Sequence, residues 1–294
     1  MRLFKLNRLI PYLLLAPSLA LTLFALGYPV YDLVRMSLHE VNRFGMLQQF
    51  VGLQNFSDLL RDPLFAPSLY RTLVWTFGIV VGTVLLSLPV ALILNEPFIG
   101  RGIARTIILL PWAVSLAMTA IVWRWALSGQ HGLLNATLMD LGLINAPIVW
   151  LATAQTSFPI AIGIGILVSI PFTVTVFLGG LSSVPGEIYD AARVDGATGL
   201  PLFRYITLPL LKPFFNLAVI LNVIYVFNSF PIIWVLTEGG PANTTDILVT
   251  YLYKLAFRFG DLDVAATLSL IMFAILLAIS VLFALLTRRG ESRA

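Results

Sequence analysis

Charge is missing from this 294-residue chain in long blocks, and that pattern limits its possible folds more than any other feature. Charged residues make up 11% of the chain, against about 25% in a soluble globular domain. The uncharged runs cover 9–31, 72–95, 106–123 (closed by Arg124), 141–186, 213–237 and 264–287. A helix needs about 20 apolar residues to cross a bilayer. Run 141–186 is too long for one crossing, so it is read as a loop plus one helix near 157–181. This predicts an all-α membrane protein of one domain, 1–294, with six transmembrane helices near 9–31, 72–95, 106–124, 157–181, 213–237 and 264–287. The spans must be helical, because the bilayer core holds no water to satisfy open backbone groups. The first run has a basic start but too long an apolar stretch for a signal peptide, with no small-residue cleavage pattern after it, and it is expected to be retained.

Several classes of function are excluded by what the chain lacks. There is no cysteine, and the two histidines, His39 and His131, stand far apart, so neither thiol chemistry nor a metal-ligand spacing is available. The net charge of +4 is spread beside apolar runs and forms no nucleic-acid patch. No glycine-rich phosphate loop is present. No charged residue falls mid-span, which argues against a proton-coupled carrier and against an intramembrane enzyme.

Lys and Arg placement predicts the orientation. One side collects Arg2, Lys5, Arg8, Arg101, Arg105, Arg193, Arg204, Lys212, Arg288, Arg289 and Arg293; the other collects Arg35, Arg43, Arg61, Arg71, Arg124, Lys254 and Arg258. The tally of 11 against 7 places both termini in the cytoplasm. The loop 182–212 then becomes the longest cytoplasmic link. Its core runs from Val184 through Pro185, Glu187, Ile188, Asp190, Ala191, Ala192 and Asp195 to Gly196. Pro185 suits a first helical turn, and Glu187 and Asp190 suit a helix N-terminus. Ile188, Ala191 and Ala192 share a small apolar face, and Gly196 can end the helix. These features fit a helix that seats on another protein, and equally an amphipathic surface helix between two spans.

Tyr189, Asp190, Ala191, Ala192, Asp195, Gly196 and Ala197, followed by Ile206-Thr207-Leu208-Pro209, resemble the "EAA" signature of ABC importer permeases. One departure is that the eponymous Glu is Asp190. Further segments are similar to the carbohydrate-uptake branch: Phe98 to Trp112, Val122 to Trp125, Gly132-Leu133-Leu134-Asn135, and Leu236 to Asp246 with its Gly239-Gly240-Pro241. The last is similar to the first permease of maltose- and glycerol-phosphate-type importers. The resemblance covers nearly the whole chain. It implies a type I permease fold in the inner membrane, with Glu187, Asp190, Ala191, Ala192, Asp195 and Gly196 in a coupling helix that docks on an ATPase. It also implies a heterodimer with a second permease subunit, two ATPase subunits holding ATP and Mg, and an external solute-binding protein. The chain itself is expected to bind no cofactor.

A sugar-like solute needs hydrogen-bonding groups and an aromatic surface. Asn222, Tyr225 and Ser229 lie at i, i+3 and i+7 of the fifth run and are expected to share one face. Asn228 points elsewhere on the helix. Ser169, beside Pro171, and this part of the fifth helix match sugar-contacting neighbourhoods of the family. The competing expectation is that these polar groups bridge neighbouring helices. Gly78 and Gly82 are read as a packing pair, and Trp112, Trp123 and Trp125 as interface anchors or core. The expected function is import of a sugar, driven by a partner ATPase. A glycerol-phosphate or polyol permease is the alternative, and an ATPase-independent carrier the rival outside the class.

Overall fold

A computed structural model describes residues 2–291, with side chains described for 12–287. Arg293 lies outside the described residues, as do the side chains of Arg2, Lys5, Arg8, Arg288 and Arg289. The chain divides into two compact units, one made of residues up to Phe65 with 252–275, the other of 66–251 with those after Ile275.

In the first unit, helices α1 (Arg2–Thr22) and α2 (Tyr28–Ser37) run on through a π-helical segment, Leu23–Gly27. The first span therefore reaches Ser37, six residues past the end of its uncharged run. A two-stranded antiparallel hairpin follows, β1 (His39–Val41) and β2 (Leu47–Phe50), an element that apolar runs do not announce. Asn55 of α3 (Gln54–Arg61) holds the hairpin to α2 by donating to Ser37 O and His39 O, each at 3.0 Å.

The second unit is built on three long helices: α4 (Phe65–Asn95), α8 (Ala154–Ser183) and α11 (Leu208–Phe227). Small residues let α4 and α8 close on each other. A Cβ on Gly82 would strike Ile166 Cδ1, and one on Gly165 would strike Ile79 Cδ1, so each helix sinks an isoleucine into the other's glycine. Trp75 of α4 donates its indole N–H to Val226 O of α11 at 3.1 Å. Trp75, Ile79, Ile164, Val168, Val226 and Ile233 form one buried cluster; Val84, Ala91, Phe177, Leu211 and Ala218 form a second.

Two spans differ from the expected ones. The third is not one rod: α5 (Arg101–Leu109) and its 3-10 continuation Leu110–Ala113 meet α6 (Leu116–Ala126) at 91°. Pro111 removes a backbone donor there, Val114 is extended, and Ser115 starts the new helix by accepting from Met118 N. The fifth, expected over 213–237, begins earlier and ends earlier. From α10 (Leu200–Leu202) and the π segment Phe203–Thr207 it runs into α11, which stops at Phe227. Asn228 bonds back to Ile224 O, and Pro231 opens a separate helix, α12 (Pro231–Thr237).

The links between spans are ordered by side-chain hydrogen bonds. Asn135 of α7 (Leu133–Asp140) is fully buried, donates to Gly129 O and Ile148 O, and accepts from Ile148 N and Trp150 Nε1. A Cβ on Gly132 would strike backbone oxygens of Ala126 and Ser128, so this turn needs its glycine. In the Gly-Gly-Pro loop, Arg71 donates to Asp246 O, and Leu248 N, at the start of α13 (Leu248–Tyr253), donates to Thr72 Oγ1. The sixth span is α14 (Leu262–Glu291). In all, five described helices are long and apolar enough to cross a bilayer, or six with the bent pair.

Candidate functional site: a cavity and an exposed helix

The cavity forms where three elements meet. The bend after Pro111 brings Trp112 beside α8, where its ring lies 5.9 Å from that of Phe172. From α8 come Val168, Ser169 and Phe172, and from α11 come Leu221, Asn222 and Tyr225. Together they line a space of about 290 Å3. Asn222 is almost wholly buried and donates to Thr173 Oγ1 at 2.9 Å and Ala218 O at 2.8 Å. Ser169 donates to Gly165 O at 2.8 Å, and Thr173 to Ser169 O at 3.1 Å. Tyr225 is 47% exposed and lines the cavity, and no described residue bonds to its hydroxyl.

The structure divides the residues singled out in the sequence. It brings Asn222, Tyr225 and Ser169 to one cavity. Ser229 is not on their helical face, because α11 has ended two residues before it; it is buried in a narrow gap behind the cavity, beside Trp75, Ser169 and Tyr225. Asn228 is exposed and spends its amide on Ile224 O, closing the helix end. Trp112, read as an anchor or core residue, is instead part of the cavity wall. Thr173, which orients Asn222, carried no signal beyond lying four residues after Ser169 on a helix. A larger groove of about 640 Å3 runs along α4 and α11, but it is lined by Leu, Val, Phe, Pro89 and Ile279 with Thr76 as its one hydroxyl residue, and offers a sugar little to bond.

At another place in this unit stands α9 (Gly186–Val194). Pro185 is its N-cap, one position before the first turn, where Glu187 lies. Its C-terminus is a Schellman motif: Ala197 N donates to Ala192 O and Gly196 N to Arg193 O, with Gly196 at φ +85°. The left-handed conformation at this position explains the glycine. Glu187, Ile188, Asp190, Ala191 and Asp195 are exposed, with Asp190 paired to Arg193 at 3.0 Å. Ala192 is only 7% exposed and turns inward, so it does not share the outer face with Ile188 and Ala191. Val194, 87% exposed, extends that face instead. A cleft of about 290 Å3 separates Tyr189, Asp190 and Arg193 of α9 from the α4–α5 turn at Asn95, Glu96 and Pro97. That turn is braced by Arg101 and Arg105, which both donate to Leu94 O.

A set of helices apolar enough to cross a membrane, a mainly apolar cavity holding a few uncharged polar groups, and an exposed charged helix together have the features of a transport component. Residues 76–293 match the family of binding-protein-dependent transport system inner membrane components, and the chain belongs to that family. It is 56% identical over 285 residues to a probable ABC transporter permease protein of Brucella suis, covering 97% of this chain and 99% of the relative. It is 35% identical over 275 residues to the trehalose/maltose transport system permease protein of Thermococcus litoralis, covering 92% and 91%. Among solved structures, it is similar to a chain of a bacterial alginate ABC transporter in complex with an alginate pentasaccharide-bound periplasmic protein. That match has a TM-score of 0.84 and 25% identity, over 98% of both chains.

Proposed function

We propose that this chain is one of two permease subunits of an ATP-driven importer that receives a sugar-like solute from an external binding protein. Its own part is to pass the solute through the cavity lined by Trp112, Ser169, Asn222 and Tyr225. The chemistry of ATP, with its Mg, belongs to two partner ATPase subunits. The observation that carries the sugar reading is the cavity itself, which joins three aromatic rings to uncharged hydrogen-bonding groups in an otherwise apolar span. The trehalose/maltose system among the similar proteins supports the same solute class, and the alginate system supports delivery by a periplasmic binding protein.

Coupling is assigned to α9. Glu187, Ile188, Asp190, Ala191, Val194 and Asp195 form the surface offered to the ATPase, and Gly196 turns the chain back toward α11. On this reading α9 and both termini lie in the cytoplasm, which the Lys and Arg distribution supports. The test is reconstitution of the complete importer in proteoliposomes. Solute uptake that requires ATP and the binding protein is expected. Uptake that proceeds without the ATPase subunits would instead identify a secondary carrier.

A further inference from the structure

The hydrogen-bonding groups of the cavity are unequally committed inside the protein. Asn222 Nδ2 donates to Ala218 O and Thr173 Oγ1. Ala218 O is a carbonyl and can only accept, so the amide nitrogen, not the oxygen, must face it. Both amide hydrogens are thereby used. Oδ1 remains, and no donor among the described residues bonds to it. Ser169 spends its one hydrogen on Gly165 O, which leaves its lone pairs. The donors still open are both neutral: the Tyr225 hydroxyl and the Trp112 indole N–H. No Lys, Arg, His, Asp or Glu lines the cavity. Helix α8 carries none anywhere, and the cations of α4 and α11, Arg71 and Lys212, lie in their first two turns.

Resting on the sugar-importer reading, we infer that the solute crossing this cavity is uncharged and rich in hydroxyls, a neutral glycoside or polyol, and that phosphorylated and acidic sugars are rejected here. A hydroxyl both donates and accepts. It can give its hydrogen to Asn222 Oδ1 or Ser169 Oγ while accepting from Tyr225 or Trp112. An ionised phosphate, sulfonate or carboxylate only accepts. It would meet Asn222 Oδ1, which only accepts, and Ser169 Oγ, whose hydrogen is already given to Gly165 O, after leaving water for apolar walls where this chain supplies no cation to pair with it.

The experiment uses the complete importer in proteoliposomes, with its binding protein outside and ATP supplied to the ATPase subunits. The probes are labelled glucose, trehalose, maltose and sorbitol, set against glucuronate, glucose 6-phosphate, maltobionate and glycerol 3-phosphate. At least one neutral probe is expected to enter about tenfold faster or more than any anion. Asn222→Leu, which removes Oδ1 at similar volume, is expected to lower that uptake about two- to tenfold per assembled complex. An anion imported as fast as the best neutral probe overturns the inference while leaving the importer reading standing. Unchanged uptake by Asn222→Leu complexes overturns the role given to Oδ1. Import of none of the eight removes the sugar reading, and the inference with it.

Discussion

Asn222 and Thr173 meet between two membrane helices, the amide nitrogen of one 2.9 Å from the hydroxyl of the other, with both side chains buried. Together with the bond to Ala218 O, this bond fixes which way the amide points, and so which atom it shows to the cavity.

Thr173→Val keeps the volume but removes the acceptor, leaving one Asn222 N–H unpaired at a cost of about 1–3 kcal/mol. The amide, then held only by its bond to Ala218 O, is expected to lose its fixed position, and uptake of a neutral solute per assembled complex to fall, while Thr173→Ser retains most of it. Uptake at the wild-type rate in Thr173→Val would show that the pair is only a seam between α8 and α11.

Gly196 is held at φ +85°, yet a Cβ placed on it meets nothing within 4 Å. Backbone conformation alone therefore restricts the position. Gly196→Ala should cost about 1–2 kcal/mol locally, and Gly196→Asn less, because Asn tolerates the left-handed region. Gly196→Pro cannot adopt this φ and is expected to reach the membrane but to separate ATP hydrolysis from uptake. Measuring both rates in one preparation checks this; an Asn variant as impaired as the Pro variant would contradict it.

Asp190 is paired with Arg193 in the same helix, with the two side chains 75% and 60% exposed. Such an exposed pair contributes only about 0–1 kcal/mol to the helix. Arg193→Ala should therefore leave the fold unchanged. Glu187→Ala combined with Asp190→Ala should weaken capture of the ATPase subunit. A pull-down in which the double variant retains as much ATPase as wild type would exclude these carboxylates from the dock.

The purified chain is expected to show no ATP hydrolysis until its ATPase partner is added, since it lacks a glycine-rich phosphate loop. Hydrolysis by the isolated chain, in a preparation free of other proteins, would require a nucleotide site that the sequence does not display.

The spans were legible because lipid enforces locally where charge is and is not. Charge and periodicity marked the α9 loop as a helix, but its docking role was legible only through the resemblance to ABC importer permeases. The loop also carried its ending in the open, because Gly196 fits a left-handed stop. What lay hidden depends on where the chain turns within an apolar run. Pro111 sits in residues that read as continuous span, and nothing in their composition announces a 91° bend. Trp112 therefore looked like an anchor, when the bend carries it to the cavity. Ser229 shared a helical face with Tyr225 only on the assumption that the helix continued; Asn228 and Pro231 end it. Ala192 looked equivalent to Ala191, and only the packing beneath α9 separates them.

The paired notches of α4 and α8 restrict how this protein can move. Ile166 occupies the place of a Cβ on Gly82, and Ile79 that of a Cβ on Gly165. To slide, either helix would have to lift an isoleucine out of its notch, and two opposed notches block travel in both directions. The pair is then braced against sliding, and any change of access along the proposed solute path falls on the places where helices are already interrupted. The break at Val114–Ser115 and the gap between Phe227 and Pro231 are such interruptions, and Trp112 and Tyr225 lie within three residues of them. The residues proposed to touch solute thus stand beside interrupted helices, and the braced pair gives them a fixed wall.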